Sequence, residues 1–546
     1  MRLIPLCLAI LLAALGLSGV AHAQEAPEEK RGVRVSGVDI VPYIEASQVV
    51  TAELDPGNDV VTYTTLAAGV DAGFTGRNSA GSLSLRYERR FGWDDNSIDG
   101  DTLSGVARAS LALIPHALTF EAGGLAARTS VDGDGSASLG GGYAYGGSSS
   151  QIYSIYAGPS VQTREGDFEV EGHYRFGYTR VEQPDYLLGS ITSAGADFFD
   201  ESTVHSAQAR VGLVPNTLLP IGVGIGGGWN EQNISNLDQR IRDRHVRGDV
   251  LVPVSRTLAL VGGVGYEDVQ VSSRDALRDG GGNPVIGSNG RYVTDKSQPR
   301  TIAYETDGLI WDVGVMWRPS IRTSLEAHVG RRYGSTTYYG TLSYRPDSRS
   351  SFNVTVYDNI TGFGGVLTDR LAGLPSTFDA FRNPISGEIG GCVASLEGDS
   401  CVGSALGSLR ASAFRSRGVA ASYALNLGRT QIGIGTGYDR RKFIAAAGTI
   451  LEAADGKTEE NVWLAAYANT RIDAASSLSA NAYVNLFDSG LDNSGEAVGY
   501  SATLAYNRNF LGGLTGTAAV GLDGITREDL PDFMSASALL GLRYSF

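Results

Sequence analysis

Strict two-residue alternation, sustained over unusually long segments, is the feature that most constrains this chain. Residues 168–180 read FEVEGHYRFGYTR: Phe168, Val170, Tyr174, Phe176 and Tyr178 share one face, and Glu169, Glu171, His173 and Arg175 the other. Near the end, Val498, Tyr500, Ala502, Leu504 and Tyr506 alternate with Gly499, Ser501 and Thr503. Between them, Ile432, Ile434 and Tyr438 alternate with Gln431, Gly433, Gly435 and Gly437. Side chains of a β-strand point to opposite faces in turn, so each segment has one apolar and one polar or tiny face. Soluble strands average about five or six residues. A tilted strand crossing a bilayer needs about 9–11, which is the length these segments reach. After the N-terminal region no stretch approaches the roughly 18 apolar residues of a membrane helix. The expected fold class is all-β: a transmembrane antiparallel outer-membrane β-barrel of about 22 strands, within a range of about 18–24.

Punctuation along the chain supports that architecture. Met1–Arg2, an uncharged run over 3–20 and Ala21–His22–Ala23 form a secretory signal peptide, 1–23. A short polar segment, 24–39, is expected on the periplasmic side, followed by the barrel over 40–546. Short connectors such as REGD at 164–167, PVSR at 253–256, RPSIR at 318–322 and RPDSR at 345–349 recur between the alternating segments. They read as periplasmic turns, where proline costs no ladder bond. Strands are expected over 168–182, 257–270, 304–317, 323–335 and 430–443, among others. Longer outer loops are expected, the largest at 271–303 and 361–410. A barrel of this size without a separate plug domain leaves a wide lumen. Either of those loops folds inward as a constriction, or it forms an outer cap or a disordered loop.

The net charge of −15 argues against nucleic-acid binding, which needs a basic field. Cys392 and Cys401 lie in GEIGGCVASLEGDSCVGS and are expected to form a disulfide in an exported protein. Trp93, Trp229, Trp317, Tyr344 and Tyr506, with Tyr266, end apolar faces and are expected at the interfacial girdles. Arg86, Arg108, Glu169, Glu171, His173 and Arg175 are expected to face the lumen, either biasing selectivity or forming a charge network that satisfies the wall. Arg331–Arg332 and Arg440–Arg441 sit near outer strand ends, where lipopolysaccharide phosphates would meet them. Asp94, Asp95, Asp99 and Asp101 crowd one outer loop without the spacing of a calcium loop. No histidine lies in a G-x-S-x-G or H-E-x-x-H context, so no enzyme, catalytic residue, metal or cofactor is expected.

Two resemblances add to this. The last residues, alternating to Tyr544 and Phe546, resemble the carboxy-terminal signal that the barrel assembly machinery reads. The block 317–359, carrying Trp317, Pro319, Gly330, Arg331, Gly334, Tyr338 and Tyr357, resembles a family of outer-membrane β-barrel porins. That family is often encoded near exopolysaccharide and PEP-CTERM-type loci in proteobacteria. The resemblance implies an envelope role and supplies no catalytic residues. The expected function is a porin-like channel for small solutes or an exported saccharide. The alternative is a structural or envelope-associated barrel with a closed lumen, whose outer loops bind lipopolysaccharide or neighbouring proteins. Expected partners are outer-membrane lipids and lipopolysaccharide, the assembly machinery, and either a second copy or a periplasmic export partner.

Overall fold

The computed structural model describes residues 37–93, 99–131, 137–138, 149–182, 199–287, 291–397, 401–402, 406, 408–490, 496–528 and 531–546. The expected signal peptide, nearly all of the segment 24–39, and Asp94 and Asp95 therefore lie outside the described residues.

The expected alternation folds into one antiparallel sheet of 23 strands. One of these, Ala137–Ser138, has two residues and pairs only with Leu118–Val131. The other 22 form a ring, matching the expected number. The first strand, Gly37–Asp55, pairs with the last, Phe533–Ser545, over Tyr43↔Ser545 to Asp55↔Met534. Side chains join this seam too: the Thr51 and Ser537 hydroxyls are 2.9 Å apart, and the Phe546 N–H donates to the Pro42 carbonyl at 3.0 Å. Closure removes the sheet edge, whose unpaired backbone groups no lipid can satisfy.

The two faces of the wall have opposite chemistry. On the first strand Ile40, Ile44 and Val50 are exposed, while Tyr43, Ser47, Val49 and Thr51 are buried inside. On the last strand Leu540, Leu542, Tyr544 and Phe546 point outward and Leu539 inward. An apolar outside around a polar, side-chain-filled inside is the wall of an outer-membrane β-barrel. No helix among the described residues is long and apolar enough to cross a membrane.

Strands Phe168–Glu182 and Thr430–Phe443 have the expected bounds. Leu258–Ser273 and Thr301–Ser320 run longer than 257–270 and 304–317. Pairing there continues through polar residues such as Ser272, Ser273 and Thr301, because the ladder needs no apolar side chains. Strand Thr323–Arg332 is shorter than the expected 323–335. Its chain reverses at Tyr333 and Gly334, whose φ values of 55° and 68° suit a two-residue hairpin turn. That outer connection is short, as are those at 56–59 and 235–238, so the expected rhythm of short inner and long outer connectors is not uniform.

Adjacent arginines are split by the pleat. Arg331 faces outward beside Trp311, whereas Arg332 turns inward onto Asp243 and Glu267. Arg440 is exposed and meets Glu460, whereas Arg441 is buried between Asp439 and Glu459. Only one member of each expected lipopolysaccharide pair can therefore reach a lipid, since consecutive strand residues cannot share a face.

Candidate functional site

The inward faces leave room for an occupant by using small residues. Ser82, Ser84 and Ser104 are buried on neighbouring strands. Across the ring, Gly433, Gly435 and Gly437 form an inward stripe. A Cβ on Gly433 would collide with the Tyr467 ring, and one on Gly435 with the Cys401 sulfur. The segment between strands Ser350–Thr361 and Phe414–Asn426 occupies that room.

This segment starts with a helix, α1 (Phe363–Gly373). Sequence periodicity did not announce it, because it is three turns long and begins in a glycine-rich run. Gly362 caps it in an extended conformation, and its N–H donates to Gln232 Oε1 at 2.9 Å. Phe363, Leu367 and Leu371 recur at i, i+4 and i+8 and share one stripe. All three are essentially solvent-free, and the Phe363 ring meets Phe199 edge-on at 4.9 Å between centroids. They belong to one apolar cluster with the wall residues Val106, Leu125, Ile152, Tyr156 and Val181.

A hairpin, Asp379–Arg382 with Ile389–Ala394, follows and crosses towards the opposite wall. Val393 and the Cys392–Cys401 disulfide join the same cluster beside Trp463, Tyr467 and Tyr483. The two cysteines are nine residues apart with Cα atoms 4.0 Å apart, so the bond braces the inner segment rather than the wall. The Phe381 ring stacks on Tyr467 at 4.6 Å.

Polar anchors fix the segment on both sides. Arg108 donates to the Leu374 and Ala372 carbonyls at 3.2 and 3.3 Å and pairs with Glu121 at 3.1 Å. Arg382 spreads its guanidinium over Ser84, Ser104 and the Gly387 carbonyl. Gln239 donates to the Ala411 carbonyl and accepts from the Ala413 N–H. Ser408 donates to Glu459. Glu388 is 2% exposed, accepts the Arg128 N–H at 3.1 Å and lies 3.7 Å from the Arg128 guanidinium. Burial outweighs that cation and pushes its carboxyl up to about 7.

The expected lumen residues are placed as follows. Arg86 is buried and held by Glu45 and Glu88, both at 2.9 Å. Arg108 anchors the inner segment. Glu171 reaches Arg210 at 3.4 Å, and Arg210 in turn binds Asp249. Glu169, His173 and Arg175 share this inward face, where they pair in register with Gly212, Gln208 and Ser206. The strand therefore brings Glu169, Glu171, His173 and Arg175 to one wall, while Arg86 and Arg108 sit on another. Sequence reading missed the anchors Ser82, Ser84, Ser104, Gln232 and Gln239. Their only signal was small or amide side chains on the inward faces.

The girdle residues Trp93, Trp229, Trp317, Tyr344, Tyr506 and Tyr266 all face outward. Tyr544 and Phe546 meet edge-on at 5.1 Å at the chain end. Asp99 accepts the Gly92 N–H and Asp101 binds Arg89, so both work as strand-end contacts. The described residues of 274–300 lie at the outer end of the barrel. Ala276 and Tyr292 pack with Leu237, Ala445 and Leu451, forming part of the outer end.

Below the hairpin lies a cavity of about 1030 Å³. Asn426, Gln431, Asn507, Thr517 and Arg543 line it near the short-turn end, and Phe378 and Phe381 form part of its roof. The arrangement is a barrel with a segment docked across its interior and a polar chamber beneath it.

No protein-family model and no curated protein matches the chain. Among solved structures, the chain is similar to the FrpB iron transporter of Neisseria meningitidis (F3-3 variant), with 11% identity, TM-score 0.40, and 93% of this chain and 81% of that one covered. It is also similar to the ferric-catecholate import receptor Fiu of E. coli K12 in its closed form, with 10% identity, TM-score 0.43, and 92% and 81% covered. A third is the alcaligin outer membrane receptor FauA of Bordetella pertussis, with 10% identity, TM-score 0.38, and 92% and 76% covered. Scores this low carry no argument about activity. The barrel rests on its own strand pairings and on the chemistry of its two faces.

Proposed function

We propose that this protein is an outer-membrane barrel whose resting lumen is closed by its own loop, and that it serves the envelope as a gated or structural barrel rather than as a constitutively open pore. One observation carries this reading: Phe363, Leu367, Leu371, Val393 and Leu409 bury an apolar face against wall strands on opposite sides of the ring. A loop that only narrowed a water-filled channel would present polar side chains to it. Here Leu367 and Leu409 have no exposure at all. In this reading Arg108 is a plug anchor, and a selectivity role for Arg86, Glu169, Glu171, His173 and Arg175 arises only once the plug has moved.

The chamber beneath the hairpin favours a second reading, in which displacement of the plug joins that chamber to the outside and lets a small solute or a saccharide pass. Planar-bilayer recording tests the closed resting state that both readings share. Purified full-length protein should be silent, and a variant with 363–409 replaced by a short glycine–serine linker should conduct. Frequent openings of the unmodified protein, comparable to those of the deletion variant, would refute the closed resting state.

A further inference from the structure

The strand Gln239–Pro253 reads QRIRDRHVRGDVLVP. Ile241 and Asp243 are buried on its inner face, so the pleat turns Arg240, Arg242 and Arg244 outward, in the same row as the exposed Val246 and Val250. The three arginines form a ladder with rungs about 6.6–6.8 Å apart. Arg244 stands level with Trp229 on the neighbouring strand. Tyr266 sits across from Val246, one rung lower. These exposed aromatics mark the boundary between hydrocarbon and headgroups. The ladder thus starts at that boundary and climbs toward the outer rim, at the height where lipid phosphates lie.

The guanidinium groups of this ladder form no ion pair among the described residues. Arg240 and Arg244 make no ion pair or hydrogen bond among the described residues. Arg242 makes one long contact, to Gln270 Oε1 at 3.4 Å, and its Nε has no partner there. Glu231 and Asp268 are next to it in register, yet form no ion pair with it among the described residues. Glu305 and Asp307 accept instead from Gln270 and Tyr266. Inside the barrel, by contrast, arginines such as Arg332 and Arg441 are fully engaged by carboxylates. Guanidinium groups present planar, bidentate donors to phosphate.

We propose that Arg240, Arg242 and Arg244 are a docking ladder for the phosphates of an outer-leaflet glycolipid. A headgroup carrying two phosphates spans two rungs while its acyl chains lie along Val246 and Val250. The inference rests on the membrane reading above but not on the closed lumen. Lipid retention and conductance are separate readouts, so each fails independently.

The test uses full-length protein in detergent micelles and measures retention of a bisphosphorylated acyl-disaccharide lipid by native mass spectrometry. Each arginine lost near an anionic lipid surface should weaken retention about fivefold. The triple substitution Arg240→Gln, Arg242→Gln, Arg244→Gln should therefore lower it by about two orders of magnitude. Heat-modifiable gel mobility reports that the barrel still folds. Arg345→Gln with Arg349→Gln, in a turn at the other end, should leave retention unchanged. Equal retention by the triple variant would overturn the proposal. So would equal retention of the dephosphorylated lipid by the unmodified protein. Displacement of the lipid by inorganic phosphate at matched concentration would assign the ladder to a free anion and overturn the lipid source.

Discussion

Removing the apolar anchors of α1 should open the lumen without dissolving the barrel. Leu367 has no exposure and Phe363 is 1% exposed, and both lie in the cluster that joins the plug to the wall. A buried Leu→Ala change costs about 3 kcal/mol and a Phe→Ala change about 4 kcal/mol. These losses fall on plug docking, because the wall ladder between strands is untouched by either side chain. At about 1.4 kcal/mol per tenfold, Leu367→Ala should raise the undocked population about 140-fold and Phe363→Ala about 700-fold. The two sit one turn apart and share a cavity, so the double variant should fall short of the product. Single-channel recording gives the ratio of opening frequencies directly, and heat-modifiable mobility checks that the wall survives. If both single variants open no more often than the unmodified protein while the barrel stays folded, the plug is not held by this face and the argument fails.

Further outcomes follow from the same contacts. Glu388 has a folded-state pKa of about 7 against an ordinary 4.5, so the docked plug holds a proton that the released plug loses. Its contribution is full below about pH 4.5 and is lost as pH rises through 7. Amide exchange over 379–394 should therefore quicken across that interval, and Glu388→Gln should flatten the dependence. Replacing both Cys392 and Cys401 by Ser should loosen the plug by about 2–3 kcal/mol, read as faster proteolysis between 374 and 411 with unchanged barrel mobility. Asp439→Ala should destabilise the wall by about 2–3 kcal/mol. It leaves Arg441, whose side chain is 3% exposed, to Glu459 and removes the acceptor of Ser416 and Tyr357, and a denaturant midpoint in detergent measures the loss.

What could be read in advance divides along a physical line. A wall strand is specified locally: Leu540, Leu542 and Tyr544 must face lipid wherever they sit, and the pleat then settles Leu539 and Arg543. That is why the 22 strands and the outward side of the wall were legible. Contents of the lumen are specified by pairs far apart in the chain. The Phe378 N–H donates to the Ser82 hydroxyl, and Asn481 donates to the Arg382 carbonyl. Neither serine nor asparagine announces such a partner. The glycines at 433, 435 and 437 did register as a tiny face, but what fills the space beside them is set by Cys401, Trp463 and Tyr467. Arginine doublets misled for a simpler reason: proximity in sequence is opposition across a sheet.

The plug's place in the chain ties its docking to closure of the ring. Fifteen wall strands precede the plug and seven follow it. Ser104 and Arg108 hold it from the first arc, and Trp463 and Tyr483 pack on it from the second. Each arc alone offers the plug only part of its contacts, so full docking needs both arcs, and the ring closes when Phe533–Ser545 pairs with Gly37–Asp55. Long-range closure of this kind is slow and leaves an unpaired edge exposed throughout. A plug that touches both arcs gives them one apolar surface in common, so the segment proposed to block the finished barrel would also act as the former around which it closes.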